Sequence, residues 1–303
     1  MVNNFYKGER NQMSYIIAIG AYLVLLMIYG LVIAHKKVKT TDDMMTGGHK
    51  IPFIILVGSL LATWCGGGGI TGSAGVVYSG GPWVGALAYA APPIGIILLY
   101  FIAGRVRKTN KVTVPEIMGA RYGAVASVIS ALCVMLAYVG VLATQLKAAA
   151  DILVLLCSSS NIEMSHGTAL AICTVIVVII TVGGGLVSVA YSDAISALIM
   201  IGGFFLAIPI LVHVANSQGA VLPPEKASFT GGLSGWTLLG YFLPGLSLML
   251  GDQNMLQRFA SAKNSDEAKK SNIGMFIGEI LVIVSIIAVV TQAARLYPTL
   301  DTP

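Results

Sequence analysis

The segment that decides the fold runs from residue 60 to residue 73 and reads LLATWCGGGGITGS. It lies inside a stretch, residues 51–104, that contains no charged residue. Glycine is a poor helix former and costs about 1 kcal/mol relative to alanine at each position. A lipid-facing helix does not tolerate exposed backbone groups, whereas a helix that lines a protein cavity does. The segment therefore predicts a broken transmembrane helix, and close helix packing through small residues is the alternative.

The composition places the chain in a membrane. Its 303 residues have a mean hydropathy of +0.84, with 56% hydrophobic and only 10% charged residues. Soluble domains carry about 25% charged residues, and no water-soluble core of this size hides so much apolar surface. A soluble enzyme, a nucleic-acid binder and a disordered chain are therefore excluded. The four cysteines have no spacing typical of a zinc site or a disulfide framework.

Eight segments are apolar and long enough to cross a bilayer, which takes about 20 residues. They are residues 14–34, 51–78, 84–103, 124–156, 166–183, 189–214, 236–256 and 273–294. Most lysines and arginines, Arg258 among them, fall in the loops after the first, third and seventh segments. The positive-inside rule then predicts that these loops are cytoplasmic and that the N-terminus lies on the extracellular side of the cell membrane.

A second helix interruption is predicted in the seventh segment, which contains Pro244 and Gly245. Two interrupted helices five helices apart are typical of an inverted repeat, with the binding site where the interruptions meet. Kinks at proline and glycine are also common in membrane helices, so a simple kink is the alternative.

Few charges lie inside the predicted spans. Asp193 follows Ser192 and precedes Ser196, and these oxygens suit a hard cation such as Na⁺. A helix cap or an interfacial aspartate is the alternative. Lys147 and Asp151 are spaced to pair with each other on one helix face.

Two further polar residues lie within spans. Gln145 is a candidate for solute contact. Glu279 either faces a cavity or pathway or lies at the interface, with its carboxylate in water.

The chain resembles the sodium:solute symporter family over essentially its whole length. The likeness rests on TVPE at 113–116, followed by Arg121 and Tyr122, on GGLVSVAYSD at 184–193, and on GDQNMLQRF at 251–259 with SAK at 261–263. The order of these motifs and the broken second span make the resemblance specific.

The resemblance implies an all-α polytopic membrane protein with the inverted-repeat fold of the leucine-transporter type. Residues 1–13 are then an extracellular N-terminus and residues 14–34 a leader helix. Residues 51–214 form the first five-helix repeat, and residues 235–303 begin the second. The family completes its sodium site from a ninth helix, so we expect a symporter truncated after eight transmembrane helices that does not transport by itself.

The resemblance also implies site residues. The predicted sodium ligands are the backbone carbonyls of Ala62 and Cys65 and the side chains of Ser192, Asp193 and Ser196. The predicted solute-binding residues are Trp64, Gly66, Gly67, Gly68, Gly69, Gln145, Gly245 and Leu248.

The sequence departs from the sugar-transporting branch of the family. Gly68, Gly69, Gly245 and Leu248 stand where that branch has polar sugar-contacting side chains. Trp64 and its neighbours look somewhat like the choline-transporting branch, and an aromatic face suits a quaternary ammonium.

The predicted function is sodium-coupled secondary active transport of a small organic solute across the bilayer, with Na⁺ as the coupling ion, no organic cofactor and no enzymatic chemistry. A proton-coupled carrier of the same fold is one alternative. A membrane module that senses a solute without transporting it is the other.

Overall fold

The fold is described from a computed structural model, in which residues 9–160 and 162–299 are the described part of the chain. Residues 1–8 of the predicted N-terminal segment and residues 300–303 lie outside it. The helices are α1 (Glu9–Lys37), α2 (Thr41–Thr46), α3 (Phe53–Trp64), α4 (Gly67–Gly80), α5 (Pro82–Ala88), α6 (Ala91–Thr109), α7 (Val114–Tyr122), α8 (Ala124–Ser159), α9 (His166–Ser217), α10 (Gly235–Gly251), α11 (Gln253–Ser261) and α12 (Ser265–Leu296). Short 3₁₀ helices cover Gly47–His49 and Pro224–Ala227. No strand occurs in the described residues, which makes this part of the chain all-α.

Several helices are long and apolar enough to cross a membrane. In the described part of the chain there are five, or six when α3 and α4 count as one bent span. The predicted segments 166–183 and 189–214 share the 52-residue α9, which contains a kink. The predicted segment 236–256 covers α10, which has 17 residues and is not among these five.

The kink in α9 lies at Gly185, where φ is 54° and ψ is −147°. This backbone region is open to glycine and closed to residues with a side chain. A methyl group on Gly185 would also lie 2.5 Å from the carbonyl oxygen of Met44. The kink therefore requires glycine.

Gly185→Val is expected to lower the melting temperature of the purified protein, because strain at such a position costs about 1–3 kcal/mol. Gly202→Val in the same helix is the matched control, since a methyl group there meets nothing within 4 Å. Circular dichroism during heating measures both variants. Equal melting temperatures for the two would show that Gly185 is not under this constraint.

The described residues fall into two compact units. One consists of residues 9–48 and 132–192, and the other of residues 49–131 and 193–299. In the first unit, α1 packs against α9 through small residues, because a methyl group on Gly30 would lie 2.5 Å from Ser188 Oγ and 2.9 Å from Ser192 Oγ. Small residues let two helix backbones approach closely within a membrane.

The second unit is built around α12, which packs against α3, α4, α5 and α6. Gly274 and Gly278 are one turn apart on α12 and meet Val57 and Leu61 of α3. A methyl group on Gly278 would lie 2.8 Å from Leu61 Cδ2. This GxxxG spacing brings the two helices together and fixes which residues of α12 face the end of α3.

The predicted interruption at Pro244 and Gly245 is wrong. The helix α10 continues through both residues from Gly235 to Gly251, and the chain leaves it at Asp252. Proline removes one helical hydrogen bond, and packing can compensate for that loss. Here Met249 is fully buried against Gly95 of α6, and Gly245 lies beside Ala91 and Pro92 of the same helix.

Candidate functional site

The second predicted span is broken, as the glycine run predicts. The helix α3 ends at Trp64, α4 begins at Gly67, and the axes of the two segments differ by 55°. Between them Cys65 has φ −79° and ψ 46°, and Gly66 is extended with φ −72° and ψ 166°. The break is confirmed.

The break presents two helix ends of opposite polarity. The last four carbonyls of an α-helix lack partners within the helix. At the end of α3 the N–H of Cys65 donates to the carbonyl of Leu61 at 2.9 Å. The carbonyl groups that follow in the helix are those of Ala62, Thr63 and Trp64. A helix C-terminus carries about half a negative charge, so these carbonyls favour a cation. The N-terminus of α4 has the opposite sign and favours negative charge.

A buried carboxylate faces this break. Glu279 of α12 is 2% exposed, and the thiol of Cys65 donates to its Oε2 at 3.7 Å. The side chain of Trp64 lies beside the same carboxylate. In the described part of the chain no lysine or arginine lies within 4.0 Å of Glu279. A buried carboxyl group beside the negative end of α3 is costly to ionise, so either a proton or a bound cation would stabilise it there.

The sequence places Glu279 within a predicted span, and its position beside the break is seen only in the structure. A usable signal was present, because Glu279 directly follows the GxxxG pair Gly274 and Gly278. Close packing through these glycines positions Glu279 against the last turn of α3.

Asp193 is held in a buried polar cluster with Ser59 and Arg258. The Arg258 Nη2 atom donates to Asp193 Oδ2 at 3.1 Å, and the hydroxyl of Ser59 donates to the same oxygen at 2.8 Å. The Arg258 Nε atom in turn donates to Ser59 Oγ at 2.8 Å. The cluster joins α3, α9 and α11, about six residues before the break on α3, or about 9 Å along the helix.

The sequence places Arg258 in the loop after the seventh predicted segment, whereas the structure places it in a helix and buries it. Its side chain is 6% exposed and lies in the helix α11. An ionised side chain is buried in this way only when it is paired, and Asp193 is the partner. The approach of α3 to α9 that allows the cluster depends on Gly58, where a methyl group would lie 2.7 Å from the Cα of Ala194.

The predicted pairing of Lys147 with Asp151 is confirmed. The Lys147 Nζ atom lies 3.0 Å from Asp151 Oδ2, and His166 Nε2 lies 2.9 Å from the other carboxylate oxygen. The three side chains are about half exposed or more, so the pair contributes little to stability.

The other predicted site residues are dispersed. Ser192 lies beside Gly30 of α1 in the first unit, and Gln145 lies in α8 of the same unit. Ser196 lies three residues after Asp193 on α9, so the two share a helix face. Gly245 faces α6, and Leu248 is 47% exposed. The glycines at 66–69, together with Ala62, Trp64 and Cys65, make up the break itself.

A cavity of about 360 Å³ lies along the second half of the broken span. It is lined by Gly72 and Gly75 of α4, Val84 of α5, Leu233, and Tyr241 of α10. Methyl groups on Gly72 and Gly75 would meet nothing within 4 Å, so these glycines keep the space open. The cavity is large enough for a small organic molecule.

The described residues are all-α, and their long apolar helices with a break in one apolar span are those expected of a polytopic membrane protein with the fold of the leucine-transporter type. The model of the sodium:solute symporter family matches residues 44–299. The chain therefore belongs to the sodium:solute symporter family.

The similar proteins are transporters. The chain is 26% identical over 272 residues to High-affinity choline transporter 1 of Drosophila melanogaster, covering 84% of this chain and 41% of that protein. It is 24% identical over 276 residues to the sodium/sialic acid symporter NanT of Aliivibrio fischeri, covering 85% and 52%. A solved structure of a Na⁺-coupled sialic acid symporter, in a substrate-bound outward-open state, superimposes with a TM-score of 0.77 at 18% identity. That match covers 94% of this chain and 61% of the other.

The chain spans about half the length, or less, of these curated relatives.

Proposed function

We propose that the protein carries out sodium-coupled secondary active transport of a small organic solute across the cell membrane. The observation that supports this most is the break between α3 and α4, where the carbonyls at the end of one helix face the N–H groups of another. Broken helices of this kind bind coupling ions at their carbonyl ends and solutes beside them. Membership of the sodium:solute symporter family supports Na⁺ as the ion.

The proposed ligands of the coupling ion are the carbonyls of Ala62 and Cys65, with Ser196 on the helix that packs beside them. Ala62 and Cys65 pack against one apolar cluster that includes Ala197, the neighbour of Ser196. This apolar surrounding keeps water away, so carbonyl and hydroxyl oxygens replace the hydration shell of the ion. Ser192 remains a proposed contributor through its place next to Asp193.

Asp193 is proposed as the ligand of a second Na⁺. This role is restricted because its carboxylate already forms an ion pair with Arg258. Arg258 and Ser59 both donate to Oδ2 of this carboxylate. We propose that Na⁺ binds the other oxygen, Asp193 Oδ1, beside the ion pair.

The ion gradient is sufficient to concentrate a solute. One Na⁺ gains about 2.3 kcal/mol in crossing 100 mV. A tenfold sodium gradient adds about 1.4 kcal/mol. Together these amount to nearly three orders of magnitude in the concentration of a neutral solute for each ion.

The proposed solute site lies at Trp64 and the glycines at 66–69. The choline transporters among the relatives and the face of Trp64 favour a quaternary ammonium. In a different conformation of the protein, the solute would also contact Gln145, Gly245 and Leu248.

The proposed membrane arrangement places the N-terminus outside and the basic loops in the cytoplasm. Residues 14–34 are the leader, residues 51–214 are the first repeat, and the second repeat starts at residue 235. The break between α3 and α4 supports this arrangement, because the proposed first repeat begins with that span.

Proton coupling is the second candidate, and Glu279 favours it. Its carboxylate is buried at the break without a basic partner among the described residues, so a proton can supply the missing positive charge. Carboxylates inside membrane spans commonly serve as proton relays.

The two candidates differ in the driving gradient for uptake by the full-length protein in liposomes. Labelled choline and sialic acid are offered with an inward Na⁺ gradient at fixed pH, and then with an inward proton gradient in K⁺. Sodium coupling predicts uptake of one of these solutes only with Na⁺, and it predicts that Glu279→Gln keeps this dependence. Proton coupling predicts uptake with the proton gradient alone. It also predicts that this uptake is lost in Glu279→Gln and retained in the control Glu225→Gln. Both results together would contradict sodium coupling.

A further inference from the structure

A second cavity, of about 300 Å³, lies where the last turns of α6 meet the first turns of α12. Its lining combines basic and aromatic residues. The basic residues are Arg105, Lys108 and Lys269, and the aromatic residues are Tyr100 and Phe101. This cavity is separate from the break and from the cavity along α4.

The two helices converge on Gly104. The hydroxyl of Ser265 donates to the carbonyl of Gly104 at 3.1 Å. A methyl group on Gly104 would lie 2.8 Å from Lys269 Cε, so the lysine side chain crosses α6 at this residue. Lys269 is thereby brought next to Arg105 and within one turn of Lys108.

The three cations have no counter-charge among the described residues. None of them lies within 4.0 Å of a carboxylate, although Asp266 and Glu267 are close in sequence to Lys269. Like charges that line one cavity raise the local potential and attract an anion.

The cavity lies at the boundary between apolar and polar surface. The uncharged stretch 51–104 ends at Arg105, and in α12 the apolar run begins at Ile273. Phe101, one turn from Arg105, is 62% exposed, and its ring packs edge-on against Tyr100 with centroids 5.6 Å apart. A ligand that suits both kinds of lining residue has an anionic group and an apolar chain.

We propose that this cavity binds the phosphate group of an anionic membrane lipid, with Arg105, Lys108 and Lys269 on the phosphate and Phe101 beside the acyl chain. Arginine and lysine are the usual phosphate-binding residues, and basic pockets between transmembrane helices bind lipid headgroups. Free inorganic phosphate shares the anionic chemistry but has no chain to contact Phe101.

The test uses purified full-length protein in detergent, with binding of phosphatidylglycerol and phosphatidylcholine measured by native mass spectrometry. The triple variant Arg105→Gln, Lys108→Gln, Lys269→Gln is expected to bind phosphatidylglycerol at least about tenfold more weakly, since each basic residue near an anionic surface contributes measurably. The matched control is Lys111→Gln, Lys263→Gln, Lys270→Gln, which removes the same charge from exposed residues outside the cavity. The control is expected to change binding less than about twofold.

The source of the phosphate is decided by a second measurement, in which inorganic phosphate competes with the lipid. Displacement of phosphatidylglycerol by millimolar inorganic phosphate would assign the site to the free ion, whereas retention of the lipid would assign it to the headgroup. Equal losses in the triple variant and its control would overturn the proposal, because general surface charge would then explain the binding. Arg105→Gln alone, at an exposed residue, repeats the comparison if the triple variant does not fold.

Discussion

Arg258→Ala lowers the free energy of unfolding by about 3 kcal/mol, because breaking a buried ion pair leaves one charge without compensation. The substitution removes the donor to Asp193 Oδ2 and the donor to Ser59 Oγ together. Asp193 stays four-fifths buried among α3, α9 and α11, with only the Ser59 hydroxyl as a donor from this cluster. The measurement is the melting temperature of detergent-solubilised protein followed by circular dichroism.

Two comparisons separate this effect from the general loss of a positive charge. Lys263→Ala, at an exposed residue two positions after the end of α11, is expected to change stability by less than about 0.5 kcal/mol. The double variant Asp193→Asn, Arg258→Met removes both charges and is expected to recover part of the loss. Arg258→Ala and Lys263→Ala melting alike would contradict the structural role assigned to the ion pair.

Gly69→Leu is expected to weaken sodium-dependent uptake strongly while leaving the protein folded. A methyl group on Gly69 would lie 3.3 Å from the carbonyl oxygen of Trp64, one of the acceptors at the end of α3. A leucine side chain there covers the carbonyl end of α3 and fills the space beside the break. Loss of access for the ion is expected to weaken apparent Na⁺ affinity more than tenfold, which corresponds to about 1.4 kcal/mol or more. Uptake of labelled solute into liposomes at increasing Na⁺ concentration measures it.

Gly202→Leu is the matched control for this substitution. A methyl group on Gly202 would meet nothing within 4 Å, and the residue is exposed on α9. It therefore accepts the same side chain at a position away from the break, and its uptake is expected to remain sodium-dependent. Normal uptake by Gly69→Leu would show that the glycines serve helix packing alone.

The break was predictable from the sequence because its cause is local. Four adjacent glycines destabilise a helix wherever they lie, and their place in an uncharged span limits the possible explanations. The pairing of Lys147 with Asp151 was predictable for the same reason, since residues four apart on a helix are neighbours.

The partners of Asp193 were not predictable in this way. Arg258 is 65 residues away in the sequence, and Ser59 is 134 residues away. No local pattern reports which helices pack together. In the sequence Arg258 therefore looks like a charge in a loop. In the structure α11 packs against α3 and α6, and Arg258 is buried.

Pro244 is a case in which the local sequence predicts a feature that the structure does not contain. Proline and glycine together predict an interruption, yet the packing of α10 on α6 keeps the helix continuous. Tertiary contacts decide whether a helix continues through a proline. The free energy of one lost hydrogen bond is small compared with that of a well-packed helix interface. At the glycine run the helix is interrupted at Cys65 and Gly66, and α3 and α4 differ in direction by 55° there, although Gly67 already begins α4.

The most direct test of the sodium site is equilibrium binding of radioactive Na⁺ to the purified full-length protein. We expect saturable binding that unlabelled Na⁺ displaces and K⁺ does not. We also expect this binding to be lost or weakened more than tenfold in Gly69→Leu and kept in Gly202→Leu. Saturable binding of equal affinity in all three proteins would contradict the assignment of the ion to the carbonyl end of α3, as would the absence of saturable binding in the unaltered protein.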